Sequence, residues 1–191
     1  AQLPAPVRRL ERLVFTDQSW LECVSREGAE IGLAPVAARI FKTSAGRYYV
    51  PVPSEHAAIL ALRDDASVAP RCLMARARRL GDAIGEGLAR PATAADVYLA
   101  HVLGLEPALR VLRAAAATPS RPAIEVAPTE AVRRADLFFA SGRARAAGDV
   151  KRMLEHAVAL AAGREGARLS AAVAERRAAA VAWHATITRA Q

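Results

Sequence analysis

Strand-type alternation is almost missing from this chain, which argues against an all-β or α/β fold. No apolar run of about 18 residues is free of charge, so a membrane-spanning helix is excluded. Cysteine is scarce: Cys23 and Cys72 are the pair present, with no CxxC and no Cys/His cluster. The 4 histidines are far apart in sequence, and no metal site is expected. Aromatics amount to 4 Phe, 3 Tyr and 2 Trp in 191 residues. Few of them interleave with basic residues and no Lys/Arg block occurs, which argues against nucleic acid as partner. G-x-S-x-G, a P-loop and H-E-x-x-H are all missing, no cofactor motif is seen, and no fixed-period repeat appears. Lysine occurs at Lys42 and Lys151 alone, so arginine carries the basic charge, a bias of GC-rich coding rather than of selected chemistry.

What remains is alanine, arginine and helical periodicity. The length suits one domain with a real core and a small appendage. The net charge of +8 favours polyanions in general. The chain opens "AQLPAP" without Met, which reads as a mature N-terminus after signal cleavage or as a trimmed chain. Both cysteines fall on apolar helix faces, and two small buried hydrophobes are favoured over a disulfide.

The expected elements are nearly all helices. Asp17 is a reasonable N-cap for "QSWLECVSREGAEIG", with Gly32 placed to end it. A short helix follows at Pro35–Phe41, and "RYYVPV" reads as an extended linker because of Pro51 and the Pro53 that follows it. Ser54 is expected to cap "EHAAILALRDD", with Ile59, Leu60 and Leu62 facing inward. "SVAPRCLMARARRLGDAIGEGLA" reads as a helix loosened around Gly81–Gly87. Thr93 with Asp96 forms a capping box opening "VYLAHVLG", and Leu105–Ala117 continues after Gly104. "TPSRPAIEVAP" reads as a loop, Thr129 as the cap of "EAVRRADLFFA", "SGRARAAG" as a turn and Asp149 as the next helix start. A long final helix is expected after Gly163, with an apolar stripe including Val173, Val181, Trp183 and Ile187. The Trp20, Leu60, Leu99 and Phe138 segments are expected to share one core.

Taken from the residues alone, few of these positions carry chemistry. Tyr98 and His101 lie three apart on one helical face, and could line a cleft or simply pack. Glu22, Glu27 and Glu30 read as a hydrated face rather than a catalytic pair. "RRLERL" and "ERRAAAVAWH" are basic amphipathic stretches whose usual role is solubility. His184 beside Trp183 reads as helix packing.

The order of four segments does resemble a known family. "VFTDQSWLECVSREGAEIGL" resembles "GLFQFxxQTWLxxVxxxGxxxGL" of soluble lytic transglycosylase-like proteins. "GRYYVPVPSEHAAILALRDDASVAPRCLMA" is similar to their "GRY" linker followed by "xILxLRxDPxxSAxLMA". "GLARPATAADVYLAHVLGLEPALRVLRA" resembles "GRxPTxxxLYLAHFLGxxGAxRFLxA", and "APTEAVRRADLFFASGRARAAGDV" resembles "PxAAxANxxIFxxxGRARTxxEV". The matched segments run in the same order from about Arg12 to Ala157.

This resemblance implies an all-α, lysozyme-like domain over 12–160, an N-terminal extension over 1–11, and an extra C-terminal helix over 161–191 packed on the domain. It implies a periplasmic or cell-envelope location and peptidoglycan glycan strands or an envelope protein as partner. It also implies that Tyr98, His101, Gln18 and Tyr48 contact glycan. The active members cleave glycan without water, through one Glu in an "ESSF"-type motif acting first as acid and then as base. That motif has no counterpart here. Aligned on Trp20, the family's Gly and Gln fall on Glu11 and Val14, and "LEPALR" replaces a Gly-rich turn after Gly104. The leading expectation is therefore a degenerate, non-catalytic domain with no catalytic residue, cofactor or metal. One alternative is the C-terminal part of an active enzyme whose Glu lies on a missing segment. Another is a helical interaction module unrelated to the wall.

Overall fold

The computed structural model describes residues 15–165. These residues are mostly helical, with two short hairpins, so the class is all-α. Helix α1, Asp17–Glu27, is capped by Thr16, whose hydroxyl accepts from the Ser19 amide at 3.2 Å, one residue before the expected cap. It buries Trp20, Leu21, Cys23, Val24 and Glu27. It ends at Gly28, not Gly32, because the Leu33 amide turns back onto the Gly28 carbonyl at 2.6 Å. A Cβ on Gly28 would stand 2.9 Å from that of Ala37, so glycine lets α2, Ala34–Ala37, approach closely.

The expected linker instead pairs. Strand β1, Phe41–Lys42, meets β2, Tyr48–Tyr49, in an antiparallel hairpin. Pro51 and Pro53 lie just beyond the paired residues, so neither interrupts the ladder. Helix α3, Pro53–Ala61, starts from Val52 with Pro53 in its first turn, which places Ser54 inside the helix rather than at its cap. A 3₁₀ turn, Leu62–Asp64, leads to α4, Val68–Leu88.

Helix α4 runs 21 residues without the break expected around Gly81–Gly87. Of its glycines, Gly87 serves close packing: a Cβ there would lie 2.9 Å from Leu109. Helix α5, Ala94–Leu103, opens on the expected capping box of Thr93 and Asp96. Gly104, at φ +90°, bends the chain into α6, Leu105–Ala117. Three short helices follow: α7, Ala123–Val126, inside the expected loop; α8, Pro128–Arg133, capped by Ala127 rather than Thr129; and α9, Ala135–Phe138. Strands β3, Phe139–Ala140, and β4, Arg143–Ala144, form a hairpin across Ser141 and Gly142, both left-handed. Helix α10 spans 147–165, beginning before Asp149 and passing through Gly163, so 161–165 continue it.

The single expected core is two cores. Phe15, Trp20, Val24, Tyr48, Ile59 and Cys72 belong to one, with Leu60 packed at its edge. Leu80, Leu99, Leu112, Phe138, Val150 and Leu154 belong to the other. Helix α4 joins them, giving Val68, Cys72 and Ala75 to the first and Leu80 and Ile84 to the second. The cysteines overturn the free-thiol expectation. Cys23 on α1 and Cys72 on α4 form a disulfide with a Cα–Cα distance of 6.2 Å, spanning 49 residues. They are apolar-face residues as read, and those two faces pack on each other. Residues 1–14 and 166–191, including Glu11, Val14, Val173, Val181, Trp183, His184 and Ile187, lie outside the described residues.

Candidate functional site

Where the two cores meet, α1, α4, α5 and the first hairpin converge on a polar seam. Gln18, on the first turn of α1, grips the hairpin as another strand would. Its amide nitrogen donates to the Tyr48 carbonyl at 2.8 Å and its oxygen accepts from the Tyr48 amide at 3.0 Å. One turn later on α1 lies Glu22, and a further turn brings Arg26. The Arg26 Nε donates to the Tyr48 hydroxyl at 3.1 Å and lies 3.4 Å from Glu22. The other Glu22 oxygen accepts from Arg76 of α4 at 3.1 Å. Arg76 is buried, 7% exposed, and its Nε has no hydrogen-bond partner.

His101, on the last turn of α5, faces this pair. Burial in the first place, and then the Arg76 charge, push its pKa down to about 4 against the opposing pull of Glu22. The imidazole is thus neutral at pH 7. Tyr98, one turn earlier on α5, hydrogen-bonds Arg134, which also makes a two-pronged pair with Asp136 at 3.1 Å through each nitrogen. The structure therefore links Gln18, Tyr48 and His101 through Arg26, Glu22 and Arg76. Tyr98 lies at the far end of the same stretch of α5.

Tyr98 and His101 also line a groove of about 330 Å³ between α4, α5 and α10. Its other walls are apolar: Leu73, Met74, Leu80, Val97 and Val158. Such a lining suits an apolar side chain better than a sugar hydroxyl.

Of the three acids read as a hydrated face, Glu22 and Glu27 are drawn into ion pairs between α1 and α4, while Glu30, beyond the end of α1, stays exposed. Glu22 pairs with Arg76, Glu27 with Arg79 at 2.6 Å, and Glu30 with Arg78. Glu27 is only 4% exposed. A buried carboxylate demands a partner, and the arginines of "MARARRL", within about one turn of α4, supply it. The signal was an acidic stretch on one helix and a cluster of arginines on another, which becomes readable once α1 and α4 are known to be neighbours.

Asp96 is fully buried. It accepts from Arg90 at 2.7 Å and from the Thr93 amide at 2.9 Å. Burial alone would raise its pKa, but the Arg90 and Thr93 hydrogen bonds outweigh that and hold it below the usual carboxylate value. A general acid needs the opposite surroundings: a desolvated carboxyl away from cations, so that it keeps its proton. Glu22, Glu27 and Asp96 are all matched to guanidinium groups.

Arg134 and Arg76 were not foreseen as site residues. Arg134 stands where the "ANxxIF" pattern carries Asn, so that departure was visible in the sequence. Among the described residues no group of three His, Cys, Asp or Glu could hold a metal ion. No helix among them is long and apolar enough to cross a membrane. No protein-family model matches the chain, and no curated protein matches it in sequence.

Proposed function

We propose that this chain is a lysozyme-like, lytic transglycosylase-related domain that binds peptidoglycan glycan, or an envelope protein held near it, without cleaving the strand. One observation carries the reading. Three of the four residues that the resemblance assigns to glycan contact, Gln18, Tyr48 and His101, lie along a seam whose carboxylate, Glu22, is locked between Arg26 and Arg76. Such a seam offers donors to a ligand and no proton to a leaving oxygen. Arg26 is exposed, its guanidinium held by Tyr48 and Glu22, so it is pre-positioned for hydroxyl or carboxylate groups. The two-core arrangement, hinged on α4, agrees with the two lobes of a lysozyme-like fold. The buried disulfide agrees with an oxidising, cell-envelope compartment.

A protein partner is favoured at one place, the apolar groove beside Tyr98, where helix-in-groove contacts suit the lining. The test is co-sedimentation of the full chain with purified sacculi. Binding is expected, with Arg26→Ala weakening it at unchanged melting temperature. A chain that stays in the supernatant at every concentration rejects glycan binding.

A further inference from the structure

The groove beside Tyr98 is built from two helix stripes. Leu73, Ala77 and Leu80 line it from α4, and Ala94, Val97 and His101 line it from α5. Each stripe runs over two helical turns, about 10 Å, the length over which a docked helix presents apolar residues at i, i+4 and i+7. Met74 stands at the rim, 60% exposed, and also lines a second hollow of about 410 Å³ with Arg71, Arg78, Glu30 and Ile31. The two hollows therefore adjoin at Met74, one apolar and the other basic. Arg71 directs its hydrogen bonds to the backbone carbonyls of Ser67 at 2.8 Å and Ile31 at 3.3 Å, which leave its charge unneutralised. Asp65 senses that charge only as the weakest of the influences on its carboxyl. Arg78 pairs with Glu30, so the net positive charge of the second hollow comes from Arg71.

From this junction we propose that the groove takes an amphipathic helix of an acidic partner protein. The apolar residues of that helix lie in the trough between α4 and α5 and pack over Met74, and one of its carboxylates meets Arg71. The inference rests on the reading of the groove as the place for a protein partner, and it names the chemistry of that partner. Charge selects this occupant over two others. A second copy of the chain would bring its own net charge of +8. The segment 166–191, which follows α10 and its groove-lining Val158, holds four arginines and one glutamate, so it too would bring cations toward Arg71. A single rim charge adds little affinity but discriminates between partners. The apolar trough thus supplies the binding and Arg71 the choice.

The experiment is fluorescence anisotropy of the full chain with labelled helical peptides of about 15 residues, in the absence of any wall material. The probe carries leucines at i, i+4 and i+7 and glutamates on its other face. One comparison peptide has lysines in place of the glutamates, and another has the probe's residues scrambled. The glutamate probe is expected to bind about tenfold tighter than either. Met74→Ser weakens it about tenfold, the loss of one buried apolar side chain, and Ala77→Gln, which fills the trough, about as much, both at unchanged melting temperature. Arg71→Glu narrows the preference for glutamate over lysine to about threefold or less, a change that damage to the fold would not give. The proposal is overturned if the lysine or scrambled peptide binds equally, if Met74→Ser and Ala77→Gln bind like the parent, or if the full chain binds none of the peptides. It is also overturned if a synthetic 166–191 peptide binds more tightly than the probe, or if the chain sediments as a dimer that Met74→Ser dissociates. Loss of sacculus binding in Arg26→Ala would leave it standing, and failure with the peptides would leave glycan binding at the seam standing.

Discussion

Replacing Cys23 and Cys72 together by alanine removes the one covalent tie between α1 and α4. The bridge closes a loop of 49 residues. By the chain-entropy relation, restraining a loop of that length in the unfolded ensemble is worth about 4 kcal/mol. Both sulfurs sit in a core from which water is excluded, at 0% exposure, so the variant also loses their packing. For a chain of this size each kcal/mol moves the melting temperature by about 2–4 °C, which predicts a fall of about 8–16 °C. The assay is thermal unfolding followed by helical circular dichroism, for the oxidised parent and the Cys23→Ala/Cys72→Ala variant at one pH. The reasoning is refuted if the two melt within about 2 °C of one another. It is equally refuted if the native protein, unfolded in denaturant, takes up two equivalents of an alkylating reagent.

Two further perturbations probe the seam and the α5 start. His101 has a folded pKa of about 4 against an unfolded value of 6.5. Between those values the unfolded chain holds a proton the folded chain lacks. Stability is thus complete above pH 6.5 and drops by about 3 kcal/mol as pH falls to 4, a slope that His101→Leu should flatten in urea titrations. An unchanged slope in the variant would place the titrating group elsewhere. Asp96→Ala removes a helix cap worth about 1 kcal/mol and a pair with a part-exposed Arg90 worth about 1 more. The depressed Asp96 pKa means this difference is present above the usual carboxylate range and shrinks as pH falls through the folded value. A loss that stays constant from pH 7 down to pH 2 would contradict the assignment.

The helices were legible because their apolar positions repeat at 3.6 residues and their caps are local chemistry, as with Thr93 and Asp96. The shifts by a residue or a turn have local causes too. Thr16 outcompetes Asp17 as a cap, and Pro53 starts α3 ahead of Ser54. What the sequence hid depends on which elements become neighbours. The Gly81–Gly87 stretch reads as a weak helix in isolation, but Gly87 at its end is where α6 packs closely through Leu109. The disulfide and the Glu22–Arg76 and Glu27–Arg79 pairs likewise exist only once α1 lies on α4. Among the candidate site residues, Tyr98 and His101 were visible from their spacing on one face. The roles of Gln18 and Tyr48 came with the family resemblance. The guanidinium groups of Arg26 and Arg76 that bind the seam together were not visible, because any of the many arginines could have served.

The central claim is that the seam binds but supplies no acid. It is tested most directly by incubating the purified full chain with sacculi at neutral pH and analysing the released muropeptides. The account predicts protein bound to the sacculi and no 1,6-anhydro products above the level of a buffer control. Accumulation of 1,6-anhydro muropeptides that is abolished by Glu11→Gln would contradict it, and would make this chain an enzyme.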